Sequence, residues 1–280
     1  MSHILACLDA SEYATSVTDY ANWAAKRITA SVELLHVIQR KDAARARRDL
    51  SGAVGLGAKS DLLEELARID EEEARLSRDR GRLILAAAAE RASEAGVETV
   101  TQTHRHGGIV ETIIEREADA DLVVIGKRGA SSEFAPGHLG SKVERVVRAS
   151  ERPVLVASRK FAEPSRLLLA YDGGKSARRA ASYIGNSPDF TDLPVHVIFA
   201  GKDRDASRNI IASAKTLMPK HDVTDCLADE DPDELIKSEM RDGDLLVMGA
   251  YGHSPLRAMI VGSTTTEMLR VPNLPVMMFR

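Results

Sequence analysis

The stretch Asp244-Leu245-Leu246-Val247-Met248-Gly249-Ala250-Tyr251-Gly252 decides how this chain is read. Five residues, mostly apolar, run straight into a pair of glycines, and Gly262-Ser263-Thr264-Thr265-Thr266 follows ten residues after Gly252. That order describes a buried strand, a glycine turn, a loop and a helix that opens on hydroxyl side chains. Glycine lets backbone approach a ligand closely, and a helix N-terminus presents unpaired N–H groups to an anion. The expected product is a phosphate cradle at the carboxyl end of a strand.

A second copy stands earlier in the chain. Asp121-Leu122-Val123-Val124-Ile125 leads into Gly126-Lys127-Arg128-Gly129, then Gly140-Ser141. Pro153 to Val156 answers Pro275 to Met278, and Ile4 to Asp9 answers Leu167 to Asp172. Val32 to Val37 answers Val195 to Ala200. The copies lie 123 residues apart at the glycines (Gly126, Gly249) but 163 apart at the aspartates (Asp9, Asp172). The first half therefore carries about forty extra residues, placed at Gln39 to Arg82. Within it, Gln39 to Ser60 reads as a loop or frayed helix. Asp61 to Ala95 reads as a long helix with Leu62, Leu63, Leu66, Ile69, Leu76, Leu83 and Ile84 on its apolar side, ended by Gly96. Other expected elements are a helix from Tyr13, a strand over Val97 to Thr103 and a helix over Ile109 to Ala118. Strands alternating with helices predict parallel βαβ units. The halves divide at the charged stretch Arg159 to Pro164, giving domains 1–160 and 161–280.

Composition bounds the function. The chain has 280 residues, 44% hydrophobic and 29% charged, which is ordinary for a globular protein. A net charge of −4 and 4% aromatic content argue against nucleic acid as a partner. No apolar run is long enough for a bilayer, so no membrane partner is expected. The N-terminus lacks the pattern of a signal peptide, and a cytoplasmic protein is expected. Cys7 and Cys226 read as reduced thiols in apolar segments.

The strand ending in Asp9 or Asp172, Leu34-Leu35-His36-Val37, and the spacing Gly249-x2-Gly252-x9-Gly262-Ser263 together resemble the universal stress protein family in its tandem form. The resemblance covers nearly the whole chain except Gln39 to Arg82. It implies two repeated five-stranded parallel Rossmann-like αβα sandwich domains, each with a crevice between its first and fourth strands. It also implies an adenine nucleotide, ATP or AMP, with or without Mg, bound as a regulatory ligand. The second-half site would comprise Ala170, Asp172, Ala200, Met248, Gly249, Gly252, Gly262, Ser263, Thr264 and Thr265. The first-half site would comprise Cys7, Asp9, Val37, Ile125, Gly126, Gly129, Gly140 and Ser141. In such sites the Asp meets adenine, the residue at the end of the second strand packs on the base, and the glycine loop with its helix start holds ribose and phosphates.

The copies differ. Ten residues separate Gly129 from Gly140, where nine separate Gly252 from Gly262, and Lys142 and Val143 replace Thr264 and Thr265. Lys127, Arg128 and Lys142 are candidates to supply charge instead. Ala200 is small where Val37 stands in the first half. The phosphate end is thus better matched in the second half and the base end in the first, and nucleotide is expected above all in the second.

Several motifs read more plainly. Gly174-Lys175-Ser176 is not a Walker loop, because Leu169 stands where its first glycine belongs; Lys175 and Ser176 read as a surface helix start. Asp9 and Asp172 also suit helix capping. His104 and His106 read as strand-end residues, and His138 and His253 as exposed loop residues. The basic run Arg40 to Arg48 and the acidic run Asp70 to Glu73 read as a solvated, mutually bridging pair. No triad or carboxylate dyad stands out, so catalysis is at most slow ATP hydrolysis. The alternatives are a nucleotide-independent interaction protein and an enzyme such as an adenylating enzyme or phosphotransferase. The protein partner is unknown. The last strand of each half is an apolar edge, so these edges are expected to pair as an intramolecular pseudo-dimer or in a homodimer.

Overall fold

The computed structural model describes residues 2–39, 56–129, 141–187, 190–202, 204–250, 263–271 and 273–280, with backbone alone for residues 56–63, 141, 263, 264 and 266. The strands are β1 (His3–Leu8), β2 (Ser31–Ile38), β3 (Val100–His106), β4 (Leu122–Gly126) and β5 (Val154–Ala157) in the first half. Those of the second half are β6 (Arg166–Ala170), β7 (Val195–Ala200), β8 (Val223–Ala228), β9 (Asp244–Gly249) and β10 (Val276–Phe279). The described helices are α1 (Ala14–Ile28), α2 (Leu56–Glu94), α3 (Ile109–Arg116), α4 (Ser141–Ala149), α5 (Lys175–Asn186), α6 (Asp205–Leu217), α7 (Pro232–Glu239) and α8 (Ser263–Arg270).

The ten described strands form one sheet, ordered β3-β2-β1-β4-β5-β10-β9-β6-β7-β8. Each half runs 3-2-1-4-5, so strand order reverses between β1 and β4 and again between β6 and β9. Within the halves every neighbouring pair is parallel, and β5 meets β10 antiparallel, with Leu155 opposite Met277. The expected pairing of the two apolar edges is therefore found within the chain, where each edge satisfies the other's backbone groups. One apolar layer on each face of the sheet spans both halves. Leu155 and Met277 share one layer, and Val154, Val156, Val276 and Met278 share the other. Strands buried on both faces are near-continuous apolar runs, which is why β4 and β9 were legible as such.

Side chains reinforce the joint. Arg27 of α1 makes a bidentate pair with Asp192 of the second half at 2.6 and 3.0 Å, its guanidinium 5.3 Å from the Trp23 ring centroid. The stretch between the halves is pinned to α1. Ser16 donates to the Ser158 carbonyl at 2.7 Å, and Phe161 packs edge-on against Tyr20 at 4.8 Å.

The expected starts of two elements are corrected. The long helix begins at Leu56, five residues early, and β3 begins at Val100 rather than Val97. More important, the face of α2 that meets the body is Gly81, Leu85, Ala88 and Ala92, whereas Ile69, Leu76 and Leu83 are exposed. Alanines and a glycine let the helix lie close on β2 and β3. A Cβ on Gly81 would stand 2.5 Å from His104 Nε2 and 2.7 Å from His36 Cδ2. Gly96, with φ +83°, ends α2 as expected. The basic run at Arg40 to Arg48 lies outside the described residues.

Candidate functional site

The crevice in the first half is built at the carboxyl ends of β1 and β4, where the strand order reverses. β1 delivers Cys7 and Leu8, then Asp9. The Asp9 carboxylate accepts the Ser11 N–H at 3.0 Å, and Ser11 Oγ accepts the Tyr13 N–H at 3.3 Å. These bonds turn the chain from strand into α1. Buried Tyr13 then lies against Gly126, where a Cβ would come 2.7 Å from the tyrosine Cβ. A glycine there lets α1 close on β4. At Gly129 a Cβ would stand 2.8 Å from Asp9 Oδ2, so the loop passes directly over the aspartate.

These elements enclose a crevice of about 830 Å³, counting the open solvent at its mouth. Its apolar wall is Leu35 and Val37 of β2, Ile109 and Ile113 of α3, Ile125 of β4, and Val143 and Val146 of α4. Its polar rim is Asp9, Arg128, Lys142 and the backbone of Gly126 and Gly129. Lys142 donates to Gln39 Oε1 at 2.8 Å, across the mouth between α4 and the end of β2. His36 Nδ1 donates to the Leu8 carbonyl at 2.9 Å and so ties the end of β2 to the end of β1. Cys7 borders the crevice, but burial, with Glu33 and Glu117 adding to it, pushes its thiol pKa far up. It is a neutral wall and not a nucleophile.

Of the first-half residues expected from sequence, Cys7, Asp9, Val37, Ile125, Gly126 and Gly129 come together on this crevice. Gly140 lies outside the described residues, and Ser141 opens α4. One expectation is corrected. Lys127 does not face the crevice. It is 2% exposed, its ammonium donates to the Val271 carbonyl in the second half, and burial next to Arg128 pushes its pKa down to about 7. Alternation at the end of β4 sends it to the other side of the loop from Arg128. Sequence reasoning missed Tyr13, Ile109, Ile113 and Val146. The i, i+4 pair Ile109 and Ile113 was a signal of a helix face turned inward.

In the second half, the Asp172 carboxylate accepts the Gly174 N–H at 2.8 Å, the counterpart of Asp9 and Ser11. Gly173 holds φ +74°, which favours glycine. Ala170 and Ala200 are half-buried, while Met248 and Thr265 are buried. A Cβ on Gly249 would meet Ser176 Oγ at 2.6 Å and the Ala177 nitrogen at 3.0 Å. Ser176, expected at a surface helix start, is instead buried against that glycine. Ser263 opens α8, and Thr264 follows it. Gly252, Gly262 and His253 lie outside the described residues, as does His138 of the first half. His104 and His106 do lie at the end of β3, 6.1 Å apart. Among the described residues no group of three His, Cys, Asp or Glu is placed to hold a metal ion.

The repeated 3-2-1-4-5 order, with a glycine turn at both reversal points, can be set beside known proteins. The sequence profile of the universal stress protein family matches residues 1–158 and 219–280. This chain belongs to the universal stress protein family. It is 33% identical over 288 residues to the universal stress protein Slr1230 of Synechocystis sp., with both chains covered in full. Its fold resembles that of a universal stress protein from Archaeoglobus fulgidus, with TM-score 0.70, 24% identity, and 99% and 97% of the two chains covered. A universal stress protein from Pseudomonas aeruginosa aligns with TM-score 0.65 at 16% identity over 99% of this chain and 92% of that one. These likenesses extend through the joined halves, so the tandem arrangement is shared.

Proposed function

We propose that this universal stress protein binds an adenine nucleotide as a regulatory ligand, and that the first-half crevice is one of its sites. The observation that carries the reading is the single crevice combining an apolar slot beside Val37 with a cationic rim of Arg128 and Lys142. An adenine ring needs the first and a polyphosphate the second. Asp9 lines the same crevice, at the strand reversal where ligands of open α/β sheets settle. The glycine backbones offer N–H groups where a side chain would block approach. In the second half the same role falls to Asp172, Gly249 and the hydroxyl-bearing start of α8.

The reading is of binding without rapid turnover. Asp9 accepts the N–H of Ser11, and Arg128 and Lys142 are cations, which hold phosphate charge but do not activate water. Bound nucleotide would bridge the glycine loop and α1, joining elements of one half through a ligand. Mg is compatible with this arrangement through the phosphates.

Melting curves with ATP and with AMP, each with and without Mg, test the reading, because a ligand specific for the native state raises the melting temperature. Lys142→Ala and Arg128→Ala are expected to weaken ATP more than AMP. A lost charge-assisted bond of about 1.5–3 kcal/mol corresponds to about 10–100-fold in affinity. Ser263→Ala reports the second half separately. The absence of any shift at saturating ATP would favour the nucleotide-independent interaction protein. Steady multiple-turnover phosphate release would favour an enzyme.

A further inference from the structure

Among the described residues, the large apolar side chains left exposed are Ile69, Leu76 and Leu83, at 43%, 68% and 72%. All three lie on α2, spaced by seven, and the sequence continues that spacing back to position 62. Seven residues are close to two helical turns, so they form one stripe. Leu83 is two residues from both Gly81 and Leu85, roughly 200° around the helix, so the stripe faces directly away from the body.

The helix also outruns its support. From Glu64 to Arg80 every residue is exposed except Leu66 and Ala74, which are half-buried. Contact with the body begins at Gly81. The 17 residues from Glu64 to Arg80 therefore project about 25 Å as an arm. A helix without tertiary packing is marginal in water, so an apolar stripe on such an arm calls for a partner.

The charges say which partner. The arm is acidic toward its tip, at Glu64, Glu65, Asp70, Glu71, Glu72 and Glu73, and basic toward its base, at Arg75, Arg78, Arg80 and Arg82. The arm is thus complementary to itself when reversed. We propose that α2 pairs antiparallel with α2 of a second copy of this chain, about a two-fold axis at Leu76. Leu76 then meets Leu76, Ile69 meets Leu83, Leu66 meets Ala86, Glu72 meets Arg80 and Asp70 meets Arg82. Glu73 falls opposite Asp79, the one like-charged apposition, where Arg75 and Arg82 already flank Asp79 at 4.0 and 3.5 Å. A parallel pairing in register stacks Glu72 on Glu72 and Arg80 on Arg80 and is disfavoured. Each stripe faces away from its own body, so in this pairing the bodies lie on the outer sides of the helix pair. The basic stretch at 40–55 of the same chain is a poorer occupant. Its large apolar residues are Leu50 and Val54, too few and too close to match the stripe.

Sedimentation equilibrium of the full chain tests this. The wild type is expected at twice the chain mass of 30.4 kDa, and Leu76→Lys at the chain mass itself, with the dissociation constant weakened more than tenfold. Two variants then read the register. Ile69→Cys and Leu83→Cys chains, mixed and mildly oxidised, are expected to cross-link to each other, and neither alone beyond the background of Cys7 and Cys226. A wild type at the chain mass up to its solubility limit overturns the proposal, as does a dimer indifferent to Leu76→Lys. Cross-linking of Ile69→Cys alone overturns it in favour of a parallel pair.

Discussion

Gly126→Ala and Gly249→Ala test the physical reason for the repeated glycine. In a strand an alanine ordinarily gains stability, since it narrows the unfolded ensemble by about 0.4–1 kcal/mol. Here the added Cβ would stand 2.7 Å from the Cβ of Tyr13 in the first half. In the second it would stand 2.6 Å from Ser176 Oγ and 3.0 Å from the Ala177 backbone nitrogen. Ser176 Oγ can rotate, but the Tyr13 Cβ and the Ala177 nitrogen are held by the start of a helix packed on the strand. That helix has to move, and overpacking of this kind costs about 1–3 kcal/mol. The net expectation is a loss of about 1–2 kcal/mol for each variant. For a chain of this size that is a fall of about 2–8 °C in melting temperature. Gly96→Ala is the control. Its φ of +83° makes it strained, but nothing lies within 4 Å of its Cβ, so its loss reflects backbone conformation alone. Urea titration gives the stability, and nucleotide titration of Gly126→Ala gives the second readout, because displaced Tyr13 lines the crevice. If Gly126→Ala is as stable as the wild type and binds ATP unchanged, the close approach of α1 to β4 does not shape this crevice.

Three further outcomes are expected. Arg166→Met leaves buried Asp244 without the two 2.7 Å bonds it accepts from the guanidinium and is expected to cost about 3–5 kcal/mol in urea denaturation. Leu155→Ala opens a cavity where β5 meets β10 and is expected to cost about 2–5 kcal/mol. With both apolar layers continuous, its unfolding should remain a single transition, and two separated transitions by calorimetry would show that the joint is not cooperative. The His104 pKa is held below its ordinary value by burial and by His36, His106 and Arg82. A depressed folded pKa means that the unfolded chain binds the proton more readily. The stability from neutral His104 is present above the unfolded pKa of about 6.5 and lost as pH falls through the lower folded value. His104→Gln should therefore flatten the decline in urea midpoint between neutral pH and about pH 5.5. An equally steep decline in the variant would assign the titration elsewhere.

Features that depend on local pattern and repetition are legible in the amino-acid order. Strands buried on both faces are unbroken apolar runs, so β4, β9 and their partners were legible, and the offset between copies exposed the duplication. A turn at Asp9 and at Asp172 was legible too, but neither aspartate caps its helix: each accepts a backbone N–H two residues on, and the N-cap positions are Tyr13 and Gly174. What the sequence did not determine depends on which surface each residue meets. Period alone does not distinguish a helix face that packs from one that is only apolar, so the leucines of α2 mark an apolar side without saying what it meets. The tertiary structure turns Ile69, Leu76 and Leu83 outward, because a close approach to β2 and β3 selects Gly81, Ala88 and Ala92 over larger side chains. Lys127 and Arg128 are neighbours of the same charge, and only the direction of the chain leaving β4 sends one into the joint between halves and the other to the crevice. The clearest crevice among the described residues belongs to the half whose motif is less regular. Its walls come from α3, α4 and β2, and no spacing of glycines records how those elements close around β1 and β4.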